Sequence, residues 1–286
     1  MMRWPWLLQW SALAGLLLGL AGALLPPVSA ADGPAIITHK DLSYFSGEPA
    51  DAQRHLLDLY LPEGKKGFPV ILFIHGGAWR SGSKELYGPL AQNFVRRGIG
   101  VAVANYRLSP AVQHPEHERD VARAFAWLVK HAKEYDADPE RLYVMGHSAG
   151  AHLVALLAVD PRYLRAEGLS SNRIRGVIGV SGPYTLGPRG FENVFGEDEA
   201  KRLDAYPLRH VTDLEAKEIP PFRILAADGD YVGLPAIARS FAVALEKHGV
   251  KVRRNEIAGR DHITIIARMA QPEDPAIKQI IEFVAP

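Results

Sequence analysis

The sequence contains no cysteine among its 286 residues, which excludes disulfide bridges, a catalytic thiolate, cysteine metal ligands and a lipid anchor through cysteine. A protein without bridges depends on its hydrophobic core for stability. Net charge is also nearly absent, because 33 basic and 32 acidic residues leave a formal charge of +1 at neutral pH. Such a balance gives no reason to expect a nucleic acid partner. Internal repeats and low-complexity tracts are lacking as well, which excludes a repeat protein.

What remains is an ordinary globular composition, with 48% hydrophobic and 23% charged residues. The chain is long enough to bury the core of one α/β domain. Apolar runs alternate with amphipathic runs, and this alternation predicts a mostly parallel central sheet with helices on both faces, entered through two antiparallel strands. Strands are predicted at residues 36–44, 55–61, 68–75, 100–105, 141–145, 174–180, 222–227 and 251–257, and helices at residues 86–97, 116–131, 152–159, 234–248 and 276–283.

The N-terminal segment has the pattern of a secretory signal peptide. Arg3 precedes an apolar stretch at residues 7–25 that only Gln9 and Ser11 interrupt, and small residues up to Ala30 offer a cleavage site. We therefore expect residues 1–30 to be a signal peptide and residues 31–286 to form an exported domain, either periplasmic or secreted. The apolar stretch is long enough that an uncleaved membrane anchor is the alternative.

A serine between two glycines carries the first chemical signal. Gly146-His147-Ser148-Ala149-Gly150 lies between a predicted strand and a predicted helix. Gly-x-Ser-x-Gly in this context is typical of a nucleophile elbow, a sharp turn that exposes the serine hydroxyl. Glycine is needed there because it accepts strained backbone angles and leaves room for the turn.

A second motif follows the buried strand at residues 68–75. His75-Gly76-Gly77-Ala78-Trp79 contains adjacent glycines, which leave backbone N–H groups uncovered. Such donors stabilise the oxyanion formed in acyl transfer. A plain turn is the alternative interpretation of a glycine pair on its own.

Together these motifs resemble those of α/β-hydrolases of the esterase/lipase type. The similarity is to the hormone-sensitive-lipase-like group and its smaller relatives, which include feruloyl esterases and kynurenine formamidases. It extends to the Asn-Tyr-Arg-Leu-Ser-Pro segment at residues 105–110 and to segments near Asp230 and His262, and it covers residues 36–284. One departure is Ala78, where many relatives carry a third glycine. The resemblance implies an α/β-hydrolase fold with a small cap and no cofactor.

In this fold the nucleophile precedes the acid, and the acid precedes the histidine. His262 follows the last predicted strand in a loop, where the resemblance implies the general base. The other histidines after Ser148 fit that role less well. His152 lies on the helix after the elbow, His210 lies in an irregular segment at residues 182–221, and His248 is typical of a helix C-terminal residue.

Two aspartates compete for the role of the acid. Asp230 matches the family's spacing after the strand at residues 222–227, and we take it as the acid. Asp228 is the alternative, although an aspartate before Gly229 usually bonds its own backbone. Asp261 is adjacent to His262, and adjacent side chains diverge, so we interpret it as a loop residue.

The oxyanion donors and the substrate pocket complete the predicted site. Trp79 and Tyr184 are the pocket residues predicted, although Trp79 serves equally well as core packing. The backbone donors predicted for the oxyanion are those of Gly77, Ala78 (or Gly76) and Ala149. No metal site is expected, because His114 and His117 form the only close histidine pair and lack zinc-protease spacing.

Residues 182–221 show no clean periodicity and contain several aromatic residues, glycines and prolines. A long irregular connection in a compact domain is often functional, so we predict a small cap over the site. A surface excursion without substrate contact is the alternative.

The sequence therefore predicts a carboxylesterase that cleaves small-molecule esters through an acyl-enzyme, without a cofactor or a nucleic acid partner. Membrane contact is expected only if the N-terminal segment stays uncleaved, and no oligomeric state is predicted. An amide or formamide hydrolase and a feruloyl-type esterase share the same catalytic residues and remain alternatives. A non-catalytic binding module on the same fold is the alternative from another class.

Overall fold

The computed structural model describes residues 33–185 and 190–284. The predicted signal peptide therefore lies outside the described residues. Within them, one sheet contains eight strands in the order β1-β2-β4-β3-β5-β6-β7-β8. The strands are β1 (Ile36–Ser43), β2 (Leu56–Pro62), β3 (Phe68–Ile74), β4 (Gly100–Ala104), β5 (Ala137–His147), β6 (Gly176–Val180), β7 (Phe222–Gly229) and β8 (Val252–Asp261).

Helices cover both faces of this sheet, as an α/β-hydrolase fold requires, so the predicted fold class is confirmed. They are α1 (Gly88–Val95), α2 (Glu116–His131), α3 (Ala149–Val159), α4 (Pro161–Ala166), α5 (Glu192–Phe195), α6 (Glu199–Asp204), α7 (Leu234–Lys247), α8 (Thr264–Ala267) and α9 (Pro275–Val284). Short 3₁₀ turns lie at Lys84–Tyr87, Ala132–Tyr135, Ser171–Arg173, Pro207–His210, Ala216–Glu218 and Arg268–Ala270. No helix in these two ranges is both long and apolar enough to cross a bilayer.

Strand direction follows the predicted pattern. β1 pairs with β2 and β2 with β4 in antiparallel fashion, whereas β4, β3, β5, β6, β7 and β8 run parallel. Every residue of β3 and of β6 is buried, as expected for parallel strands covered on both faces.

Parallel strands end at one edge of the sheet, and this edge carries the predicted site. β3 and β5 are neighbours, so the loop after Ile74 lies beside the turn after His147. β7 and β8 are neighbours as well, so the residues after Gly229 lie beside those after Asp261. β6 lies between β5 and β7 and joins the two halves of this edge.

Between residue 190 and β7, the chain folds into short helices rather than a long loop. Phe195 of α5 is buried, and the Val194 carbonyl accepts a hydrogen bond from the His114 backbone N–H at 2.7 Å. His152 of α3 uses Nε2 to donate to the Ala205 carbonyl at 2.7 Å. These contacts hold the segment against α3 and against the loop before α2.

Candidate active site

Ser148 lies in a strained turn between β5 and α3. Its φ of 55° and ψ of −118° lie in a region that non-glycine residues rarely adopt. A Cβ on Gly146 would lie 2.2 Å from the Gly150 carbonyl, and one on Gly150 would lie 2.0 Å from the Ile74 oxygen. Both flanking glycines are therefore required by space, as the sequence motif indicated.

The structure brings Ser148, His262 and Asp230 into one hydrogen-bonded chain. His262 Nε2 lies 2.9 Å from Ser148 Oγ, and His262 Nδ1 lies 2.7 Å from Asp230 Oδ1. A carboxylate only accepts hydrogen bonds, so Nδ1 carries the proton and Nε2 offers its lone pair to the serine hydroxyl. This is the tautomer that a general base needs.

Asp230 has hydrogen-bond partners in addition to His262. Ser181 Oγ donates to its Oδ2, and the Tyr231 backbone N–H donates to its Oδ1 at 2.8 Å. Burial alone would raise the pKa of Asp230, but the hydrogen bonds and the charge of His262 outweigh burial and lower the pKa. Asp230 is therefore ionised near neutral pH.

The alternative acid, Asp228, and the loop residue Asp261 both serve the surrounding loops. Asp228 accepts hydrogen bonds from the backbone N–H groups of Gly229, Gly259 and Arg260 at 2.9, 3.0 and 3.1 Å. Asp261 accepts from the N–H groups of the two residues that follow His262, at 2.9 and 2.7 Å. The structure therefore places Asp230, and neither Asp228 nor Asp261, against the imidazole.

His147 supports the backbone of His262. Its Nε2 lies 2.8 Å from the His262 carbonyl oxygen, so this nitrogen carries a proton and donates. Burial lowers the pKa of His147 to about 3, assisted by the neighbouring imidazole of His262. His147 is therefore a neutral scaffold residue.

The loop after β3 lies directly beside Ser148. A Cβ on Gly76 would lie 3.1 Å from Ser148 Cβ. Gly77, Ala78 and Trp79 all have positive φ, at 115°, 53° and 60°. A Cβ on Gly77 would lie 2.1 Å from the Ser81 carbonyl oxygen, so only glycine fits at that position.

The backbone donors of this loop are available for an oxyanion. Within residues 33–185 and 190–284, the N–H groups of Gly77 and Ala78 donate to no backbone carbonyl. Ala149 is the first residue of α3, where N–H groups lack a partner in the helix. Gly76 precedes these two donors in the same loop and stays a predicted donor.

The two predicted pocket residues are both buried. Trp79 is 1% exposed and packs edge-on against His152 and Phe195. Tyr184 is fully buried and stacks on Phe241 of α7 with ring centroids 4.5 Å apart. The structure does not bring Tyr184 to an accessible surface, because its ring fills space that Gly179 and Gly182 leave open.

Sequence reasoning missed two side chains at this site, Ser181 and Tyr231. Ser181 follows β6, and its position at the end of a buried strand beside the elbow strand was the signal that could have found it. Tyr231 stacks on His262, and its adjacency to the acid was the corresponding signal. No set of three metal-ligating side chains gathers anywhere in the described part of the chain.

Comparison with known proteins supports the same fold. A family model described as BD-FAE matches residues 57–230. A probable isoprenylcysteine alpha-carbonyl methylesterase of Arabidopsis thaliana, ICMEL1, is 31% identical over an alignment of 256 residues that covers 82% of this chain and 53% of that protein. The chain thus spans about half the length of this curated relative.

Two further proteins are informative. A kynurenine formamidase of Danio rerio is 26% identical over 82% of this chain and 79% of its own length. The truncated form of a carbohydrate esterase from gut microbiota superposes with a TM-score of 0.74 over 89% of this chain and 97% of that chain. Its sequence identity is 20%, so this last likeness shows the shared fold.

Proposed function

Because the chain belongs to the BD-FAE family, an esterase family of the α/β-hydrolase fold, we propose that it is a serine carboxylesterase that works through an acyl-enzyme on Ser148. The observation that carries this proposal is the hydrogen-bonded chain from Ser148 Oγ through His262 to Asp230. All three residues directly follow strands of one sheet, so a rigid scaffold positions them.

In the first half of the reaction, Ser148 Oγ attacks the ester carbonyl while its proton passes to His262 Nε2. The imidazolium is stabilised by Asp230, whose lowered pKa keeps it ionised. The imidazolium then returns the proton to the departing alkoxide as the C–O bond breaks, which leaves the acyl group on Ser148. In the second half, water attacks the acyl group and passes its proton to His262 Nε2. The imidazolium then returns the proton to Ser148 Oγ as the carboxylic acid product leaves.

Negative charge on the carbonyl oxygen develops in both halves. The N–H groups of Gly77, Ala78 and Ala149 are the donors that support it in this proposal, since they lie on the loop and helix beside Ser148. Loss of one such donor typically lowers kcat by about 10²–10³.

The specificity of the enzyme for the alcohol and acyl groups of its substrate can be tested directly. The methylesterase relative suggests esters with a small alcohol, and the formamidase relative, matched over 79% of its length, suggests N-formyl amides as the second candidate. We propose testing p-nitrophenyl esters of graded acyl length, a methyl ester, methyl ferulate and N-formylkynurenine with the same preparation. Preference for the formamide over every ester would replace the esterase proposal by the second candidate.

The central test is the identity of the nucleophile. Ser148→Ala is expected to abolish ester hydrolysis and to leave the unfolding temperature near that of the wild type. A fluorophosphonate is expected to label the wild type at Ser148 alone, as read by peptide mass spectrometry. Residual labelling of the variant at another serine would contradict the proposed mechanism.

We also propose that residues 182–221 act as a cap over the site. Supporting this, Phe195 packs against Trp79, the residue that follows the oxyanion loop, with ring centroids 4.9 Å apart.

Export through the N-terminal segment 1–30 is likewise a proposal. Cell fractionation with N-terminal sequencing of the product tests it.

A further inference from the structure

Tyr231 lies flat against the imidazole of His262. The ring centroids are 4.2 Å apart, and the ring planes differ by 26°. Tyr231 directly follows Asp230, and its backbone N–H donates to the same carboxylate oxygen that accepts from His262 Nδ1. One short segment therefore holds the imidazole both by its edge and by a face.

The second ring beside His262 belongs to His147. Its centroid lies 4.9 Å from that of His262, with the planes 44° apart, and burial keeps the ring neutral by lowering its pKa to about 3. His147 is buried, whereas Tyr231 is partly exposed. Tyr231 is thus the stacked neighbour that can be changed with the least disturbance of the core.

We propose that Tyr231 is a positioning residue that orients the His262 imidazole and stabilises its protonated form during ester cleavage. A cation is attracted to the face of an aromatic ring, and the attraction strengthens where water is excluded. The positive charge exists only after Ser148 Oγ has passed its proton to Nε2, so the ring favours the transition state over the resting state. This inference rests on the proposed function, because it requires His262 to act as the base.

Other groups around the imidazole remain when the Tyr231 ring is removed. They are the carboxylate of Asp230, the neutral ring of His147 and the carboxylate of Asp261. The Asp261 carboxylate accepts hydrogen bonds from the backbone N–H and the hydroxyl of Thr264. Burial raises the pKa of the Tyr231 hydroxyl, so this group stays uncharged near neutral pH. Replacing the ring therefore changes the stacking and leaves the surrounding charges as they are.

The experiment compares two ring-free variants, Tyr231→Leu and Tyr231→Met, with the ring-preserving Tyr231→Phe. For the ring-free variants we expect kcat to fall about three- to tenfold, the effect of losing a partly buried cation–ring contact. We also expect the pH at which kcat/KM reaches half of its plateau to move lower, since the imidazolium loses support. Tyr231→Phe is expected to retain both the wild-type kcat and the wild-type midpoint.

Rates are expressed per active site, titrated with the fluorophosphonate, so that partial misfolding of a variant does not mimic slow catalysis. Tyr135→Leu is the matched control, because Tyr135 is also partly exposed and packs against a histidine ring. Its ring centroid lies 5.1 Å from that of His39. That variant is expected to leave kcat and the pH midpoint unchanged.

The results separate this inference from the proposed function. If the wild type hydrolyses esters and the ring-free variants match it in kcat and in pH midpoint, the role of Tyr231 is refuted. If Tyr231→Phe is as slow as Tyr231→Leu, the hydroxyl and not the ring is responsible, which also refutes it. If the wild type neither hydrolyses esters nor reacts with the fluorophosphonate, the proposed function itself fails.

Discussion

The hydroxyl of Ser181 donates a hydrogen bond to Oδ2 of Asp230, the carboxylate oxygen that His262 does not use. Ser181 follows β6, which lies between β5, the strand that leads to Ser148, and β7, the strand that leads to Asp230. It is 1% exposed and has a φ of 51°, so its own conformation is constrained. The Asp230 carboxylate is therefore held from two sides, with Oδ1 toward the imidazole and Oδ2 toward Ser181.

We expect Ser181→Ala to lower kcat about tenfold while KM stays near its original value. A hydrogen bond to a charged acceptor is worth about 1.5–3 kcal/mol, and its loss lets the carboxylate rotate away from Nδ1. Steady-state kinetics on one p-nitrophenyl ester measure this. Ser171→Ala is the control, because Ser171 is also buried and its hydroxyl has no partner among the residues described. Equal kcat in both variants would show that Ser181 does not orient the acid.

The identity of the acid predicts a ranking between two neighbouring variants. Asp230→Asn is expected to lower kcat by about 10⁴, since an amide favours the wrong imidazole tautomer. Asp228→Asn is expected to lower kcat less than about tenfold, because Asp228 accepts from the loop at Gly259 and Arg260 and does not touch His262. Kinetics of the two purified variants decide the order, and the reverse ranking would assign the acid to Asp228.

Glu118 predicts a specific pH dependence of stability. It is fully buried on α2, and neither carboxylate oxygen has a hydrogen-bond partner among residues 33–185 and 190–284. Burial, assisted by the nearby charge of Asp160, raises its pKa well above the ordinary value. The folded protein therefore keeps this proton after the unfolded chain has released it near pH 4.3, so stability falls as pH rises above that value.

Glu118→Gln removes this titration while keeping the shape of the side chain. Near pH 4, we expect its unfolding temperature to be equal to or lower than that of the wild type. Between pH 4 and pH 7, the unfolding temperature of the variant should rise steadily relative to that of the wild type. Calorimetry or circular dichroism across this range measures the difference. Glu246→Gln, an exposed change on α7, is the control and should show no such trend. A constant difference between Glu118→Gln and the wild type at every pH would contradict the buried neutral carboxyl.

The sequence predicted elements best where one periodicity dominates. Residues 116–131 form a helix with the predicted bounds, because its apolar residues recur at helical spacing and line one buried face. By contrast, β5 begins at Ala137 rather than at residue 141, and β8 continues to Asp261 rather than ending at residue 257. These extensions are not continuous apolar runs, and their end residues pair with neighbouring strands, Ala137 with Phe68 and Asp261 with Gly229, across a shift in register.

The site residues could likewise be predicted where the local sequence determines the geometry, and not where tertiary packing determines it. Glycines around Ser148 are forced by short backbone distances, so their pattern could be recognised in the sequence. Tyr184 was predicted in the pocket because it lies in the irregular segment, yet it fills a core space beside Phe241. That space exists only because β6 and its following turn contain glycines at 179 and 182, a three-dimensional relationship that spacing alone does not display.

The distribution of the site over the sheet has a consequence for biosynthesis. Ser148 follows β5, whereas His262 follows β8, the strand at the edge of the sheet and the last of those described. A chain emerging from the ribosome thus carries its serine turn long before a base exists to activate it. Reactivity toward esters or phosphonates should arise only when β8 has docked on β7, which makes such reactivity a reporter of completed folding rather than of synthesis.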